Sequence, residues 1–165
     1  MLELLDNILR DVSEESSDST VATEKHRARV AALLGIAIME LQKRAEDHDK
    51  SKLEPPEKEA FDKVTTRLKG LEYGSEEYHR SEKSIEPAIK HHYSLNRHHP
   101  EHFAEGISGM NLVDLLEMLA DWKASSERHE TGSIAKSFQV NKDRFNIGSQ
   151  LLLVLRNTVK DLGWE

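Results

Sequence analysis

Along nearly the whole chain apolar residues return every three or four positions and no stretch alternates in twos, which confines the backbone to helices. The periodicity predicts a first helix over about 2–11, then a Ser/Glu/Asp-rich linker through Ser19. A second helix runs from about Thr20 to Glu46, with Val30, Leu33, Leu34, Ala37, Ile38 and Leu41 on its buried face and Thr20 and Glu24 as start signals. Pro55-Pro56 suits the opening of a third, carrying Phe61, Val64, Leu68 and Leu71, because proline is tolerated in a first helical turn. Gly74 ends the next connection, Ser75 caps a further stretch, and Pro87 kinks or restarts it before AIKHHYSLNRHH reaches Pro100. Asn111, with Asp114 at the third position, starts a helix to about Arg128. The last, from about Asn146 to Leu162, repeats Ile147, Leu151, Val154, Leu155 and Val159. The expected fold is all-α, a compact bundle of six or seven helices in one domain: an N-terminal helix and linker over 1–19, a core over 20–128 and C-terminal packing over 129–165.

A chain of 165 residues buries one core without disulfides or a structural metal. Thirty acidic against 23 basic residues give a net charge of −7, and no Lys/Arg stripe forms, which argues against duplex nucleic acid as a partner. The absence of cysteine removes a thiol nucleophile, a disulfide framework and a Cys-type zinc site, and fits a reducing compartment. The opening MLELLDNILRD is too short and too charged for a signal peptide or a membrane span, so no membrane partner and a cytoplasmic location are expected.

Six of the nine histidines, His79, His91, His92, His98, His99 and His102, fall within 24 residues. Any one of them reads as a solvated surface residue, but spacing changes the argument. His92, Asn96 and His99 follow an i, i+4, i+7 pattern behind Ile85 and Ile89, so a helix would turn them inward together. Polar groups on an inward face must be satisfied, by a metal ion or by a buried hydrogen-bond network. Glu117 and Asp121, four apart, share a face beside Leu112, Leu115, Leu116 and Leu119, either as a cation site or as a solvated edge. His26 sits one turn before Val30, as a core histidine or a ligand. The pair His48-Asp49 on a tight loop can turn an imidazole and a carboxylate onto one ion. With no sulfur ligand, mixed nitrogen and oxygen donors suit one or two divalent ions among Mn, Fe, Co, Ni, Zn and Mg.

In order, His26 within HRARVAALL, His48-Asp49 followed by KSK, HHYSLNRHHPEH and EMLADW give a succession that resembles the HD-domain superfamily of metal-dependent phosphohydrolases. More closely it is similar to a family of short HD-like proteins of phages and bacteria. The resemblance spans Thr20 to Arg128 and implies an HD-like helical bundle in a bacterial cytosol or a phage-infected host. It implies that His26, His48, Asp49 and Asp121 hold a first metal. It also implies that His92 and one or both of His98 and His99 hold a second, with Asp49 as bridge. Only 21 residues separate His26 from His48, KSK follows the HD pair, and EMLADW matches no familiar subfamily signature, which leaves subfamily and substrate open.

The implied activity is hydrolysis of a nucleotide or another small phosphoester by metal-activated water, the nucleotide resting on analogy within the superfamily. Glu117 would orient water or a ligand imidazole, and Lys52 is the first choice for a phosphate-binding cation, ahead of Lys50, Arg97 and Arg128. Asn96 would bind substrate or fix a histidine rotamer, and Trp122 reads as a core wedge before a stacking platform. Two alternatives stand beside hydrolysis: a di-iron oxygenase of HD fold, and a non-catalytic nucleotide-binding or regulatory module that keeps the metal site. A homo-oligomer is compatible with all three.

Overall fold

A computed structural model of the chain describes residues 19–68, 71, 75–128 and 132–165. The helix expected over 2–11, its linker and the Gly74 stop lie outside these residues. The described residues are all-helical, with seven α-helices and no strand. The chain divides into two units between Glu40 and Leu41.

Helix α1, Thr20–Asp47, forms the described part of the first unit up to Glu40. Its expected buried face is a correction. Val30, Leu33, Leu34 and Ile38 are exposed, and no residue of the helix is buried. Periodicity marks an apolar stripe, but burial needs a second surface packed against it. No helix among the described residues is long and apolar enough to cross a membrane.

In the second unit α1 ends at Asp47, and Asp49 then takes a left-handed backbone with φ 56° before a 3₁₀ turn, Lys50–Leu53. Aspartate is one of the few non-glycine residues that tolerate this region. Helix α2, Glu57–Leu68, starts directly after Pro56 and packs against this turn, α3 and α4. Ser75 accepts a bond from the Tyr78 N–H at 3.2 Å and so caps α3, Glu76–Lys83, as expected. Pro87 sits in the first turn of α4, Glu86–Leu95, so it restarts the helix rather than kinking one.

The histidine segment departs from expectation, because α4 stops at Leu95 instead of running to Pro100. Asn96 is extended, and its amide folds back to donate to the His92 carbonyl at 2.8 Å. Pro100 also disfavours a helical His99. The chain continues through two short 3₁₀ turns, Pro100–His102 and Gly106–Gly109.

Helix α5, Leu112–Ser126, opens with a complete capping box. Asn111 Oδ1 accepts from the Val113 and Asp114 N–H groups at 2.9 Å, and Asp114 returns the favour at the Asn111 N–H at 3.0 Å. The expected helix from Asn146 is preceded by one the periodicity did not separate, α6 Ile134–Arg144, capped by Ser133. Helix α7 spans Ser149–Asp161, with Ile147 buried just ahead of it and Val154 exposed.

The apolar core joins α5, α6 and α7 through Leu115, Met118, Leu119, Trp122, Ile134, Phe138, Ile147, Leu152, Leu155 and Val159. Trp122 meets Phe138 edge-on at 6.2 Å and lies parallel to Phe145, which bears out its reading as a core wedge. Each large side chain buried here stabilises the fold by about 1.5–3 kcal/mol. Leu112 is not among them: it stands 80% exposed at the first turn of α5.

Candidate metal centre

Residues 114, 117 and 121 fall on a face of α5 adjacent to the one that enters the core, because helical positions three and four apart are neighbours. Asp114 is wholly buried and binds Arg97 through both carboxylate oxygens, at 3.0 and 2.9 Å, and Arg44 at 3.1 Å. Arg97 also lies over the Phe103 ring. Arg97, expected as a substrate cation, is therefore committed to holding the end of α4 against α5.

Glu117 and Asp121 face the histidines. Glu117 accepts from His48 Nδ1 at 2.9 Å and from Arg44 at 3.1 Å, and His98 Nδ1 lies 3.1 Å from it without hydrogen-bond alignment. The opposite ring nitrogens turn towards the aspartates. His48 Nε2 lies 3.8 Å from both Asp49 Oδ2 and Asp121 Oδ1, while His92 Nε2 and His98 Nε2 lie 3.2 and 3.5 Å from Asp49 Oδ1. His92 Nε2 and His99 Nε2 are 2.9 Å apart.

Three groups of side chains each bring one ligand atom within 4.8 Å of the others: Asp49, His92, His98 and His99; His48, His98 and Glu117; His48, Asp49 and Asp121. Two donors bound to one ion at about 2.0–2.1 Å stand roughly 2.9–3.4 Å apart, and the closest pairs of the first group match this. Asp49 Oδ1 and both His98 ring nitrogens are buried without a hydrogen-bond partner. Such orphaned groups are costly in the interior, and a shared cation satisfies them together. These side chains can hold a metal ion, and Asp49 stands in two of the groups.

The electrostatics agree. Burial pushes Asp49 up, but His92, His98 and Lys52 outweigh it and hold its carboxyl far below the usual range. For Glu117, burial is likewise overcome by His48 and His98, leaving it at about 2, and for Asp121 burial is again overcome, His48 giving the largest opposing contribution, so that it too is lowered. Asp121 and Glu117 in turn raise His48 to about 10, whereas burial and its histidine neighbours press His99 down to about 3. The centre thus keeps its carboxylates ionised and draws in positive charge: His48 holds a proton that a metal ion would have to displace, whereas His99 stays neutral, the form that binds metals.

The centre opens onto a cavity of about 550 Å³ lined at one part by Asp49, His92, His99 and Asp121. Phe61, Ile85, Ile89, Tyr93, Trp122 and Phe145 give it an apolar wall, and Arg128 lines it too. One helical face of α6, Ser133, Lys136, Ser137, Val140, Asn141 and Arg144, supplies hydroxyls and cations. The sequence reading passed over this face because α6 was not recognised as a separate helix.

Other expected site residues are placed as follows. Lys52 lines the cavity, donates to Asp49 Oδ2 at 2.7 Å and lies over the Phe61 ring. Asn96 is buried and donates to the His92 carbonyl at 2.8 Å, with Ser51 Oγ at 2.9 Å and His92 Nδ1 at 3.0 Å from the same nitrogen. Lys50 pairs with Asp47 at the surface. None of the three groups includes His26, which lies on α1 in the first unit. Glu57, absent from the expectations, is wholly buried beside His91 and His92. Its letter in PPEKEAF resembles any acid of a first helical turn, and nothing local to it signals burial.

A family model, described as a family of unknown function (DUF5662), matches residues 15–161. No curated protein and no solved structure matches the chain.

Proposed function

Since the chain belongs to the DUF5662 family, whose function is unknown, its own geometry must carry the reading, and we propose a metal-dependent phosphohydrolase of HD-domain type acting on a small phosphoester in the cytosol. The supporting observation is the convergence of Asp49, His48, His92, His98, His99 and Asp121, with orphaned buried ligand atoms; four of these residues, Asp49, His92, His99 and Asp121, line a cavity large enough for a small organic ligand. His48, Asp49 and Asp121 would hold one divalent ion, and Asp49, His92, His98 and His99 a second. Such ions, when bound, supply Lewis acidity and acidify water to near-neutral pKa.

The remaining roles fall to the chain itself. Glu117, on the Nδ1 side of His48, holds that imidazole so that Nε2 faces Asp49 and Asp121. Lys52 neutralises Asp49 and stands in the cavity wall, where a phosphoryl oxygen can share its ammonium. Arg128 and the α6 face, with Lys136 and Arg144, suit the anionic and hydroxylated part of a substrate, and the aromatic wall suits a planar or apolar part. A nucleotide combines these features and is the preferred class.

The test is metal analysis of protein purified without chelator, followed by a screen of nucleotides, cyclic nucleotides and phosphomonoesters with Mn, Co, Ni and Mg. Phosphate release that requires metal and disappears in Asp49→Ala is expected. A nucleotide bound tightly without turnover would replace the enzyme with a binding module. A second reading, iron-dependent oxygen chemistry, draws support from the three imidazoles in one group, and a mixed-valence iron spectrum would favour it.

A further inference from the structure

Glu57 stands in none of the three ligand groups, yet it is wholly buried beside them. No lysine or arginine pairs with it among the described residues. Its partners are His91 Nδ1 on one oxygen, and Ser51 Oγ and His92 Nδ1 on the other, each at 2.8 Å. A buried carboxylate persists only where donors satisfy it, so the proton positions in this network are constrained.

The constraint can be followed atom by atom. The His92 carbonyl can only accept, which identifies the Asn96 atom 2.8 Å from it as the amide nitrogen. That nitrogen lies 2.9 Å from Ser51 Oγ and 3.0 Å from His92 Nδ1, and Ser51 Oγ itself lies 3.2 Å from His92 Nδ1. Ser51 has one hydroxyl hydrogen, and it goes to Glu57 Oε2. An ionised Glu57 can only accept, and at 2.8 Å it is the nearest of the three neighbours of His92 Nδ1, which favours a ring proton on Nδ1 directed at Glu57 Oε2. A neutral His92 then carries its lone pair on Nε2, the atom 3.2 Å from Asp49 Oδ1 and 2.9 Å from His99 Nε2.

From this we infer that Glu57 is the positioning residue of the centre: it fixes the His92 tautomer and ring orientation so that Nε2 is presented as a ligand. His91, next in sequence to His92 in the last turns of α4, anchors the other oxygen and stops the carboxylate from swinging away. Ser51, which itself accepts from Asn96, ties the same carboxylate to the 3₁₀ turn that follows Asp49. The inference rests on the metal-centre reading for its consequence, but the tautomer can be measured without metal.

Long-range ¹⁵N–¹H correlation spectra of metal-free, histidine-labelled wild-type protein should show the His92 proton on Nδ1 and a bare Nε2. A proton on Nε2 would overturn the inference, and this measurement needs no variant to fold. In parallel, Zn²⁺ and Mn²⁺ titrations of Glu57→Gln, with helix content checked by circular dichroism, should show a loss of affinity of roughly 10–100-fold. Ser51→Ala, which keeps the Glu57–His92 contact, should lose less than Glu57→Gln. Equal affinities for wild type and a folded Glu57→Gln would also overturn it. If the wild type binds no divalent ion, the metal-centre reading fails, while the tautomer result still judges the role of Glu57 at His92.

Discussion

On one face of α5, Leu115, Met118, Leu119 and Trp122 exchange water for other apolar side chains. On the neighbouring face Asp114, Glu117 and Asp121 exchange it for arginines and imidazoles. Leu119 and Asp114 are equally inaccessible, both at 0%. Burial therefore does not track hydropathy along this helix, and what differs is the condition each face sets. The apolar face asks only for volume to be filled, whereas the polar face asks for partners at defined atoms. The first can be repacked with modest loss. The second loses its purpose when one partner is removed.

That comparison can be broken by substitution. Leu119→Ala should produce the largest fall in stability, about 3–4 kcal/mol in urea unfolding, while leaving metal affinity unchanged in a folded sample. Loss of metal binding in proportion to stability would show that the two faces are not separable. Asp114→Asn should follow at about 3 kcal/mol near neutral pH, at the low end for a buried pair because the Arg97 side chain is 41% exposed. Burial raises Asp114, but Arg97, the Asn111 N–H and Arg44 overcome it and lower the folded-state pKa. The stabilisation from this carboxylate is then complete above the unfolded aspartate value of about 3.9 and is lost as pH falls through the folded value. Wild type and Asp114→Asn should accordingly converge in acid; a gap that stays constant to pH 2 would remove the ion pair from the account.

Glu117→Gln sharpens the comparison from the other side. It should lower metal affinity by about 10–100-fold, since the amide holds His48 less firmly, with little effect on the urea midpoint. A large fall in stability with unchanged affinity would instead make Glu117 a structural ion-pair partner of Arg44. Smallest of all, Leu112→Ser should stay within about 0.5 kcal/mol, although a sequence pattern assigns Leu112 to the buried stripe.

Much of the local structure was legible in the residues. The Asn111/Asp114 box, the Ser75 cap and the restart at Pro87 are decided by groups within four positions of one another, and each appears as expected. The polar residues His26, His48, Asp49, His92, His98, His99 and Asp121 were nominated as a set through the family resemblance, and His26 stands in none of the groups that form. Their partners could not be nominated that way. The i, i+4, i+7 argument joined His92 to His99 through a helix that ends at Leu95, and the two meet because the chain leaves the helix and turns back. The apolar face assigned to α1 had the right period and the wrong burial, since periodicity gives the stripe and only a neighbouring surface can cover it. Helix α6 and its cavity-facing residues were missed in a stretch treated as the approach to a last helix.

By itself the sequence determined that this protein is all-helical and where most of its helices begin, because caps, breakers and periodicity act over a few residues. Only the tertiary structure decided that Glu57 stands behind His92, that Glu117 stands behind His48, and that Arg97 pairs with Asp114. Those contacts join residues 17 to 69 positions apart, and no local rule specifies which distant atoms packing brings within 3 Å.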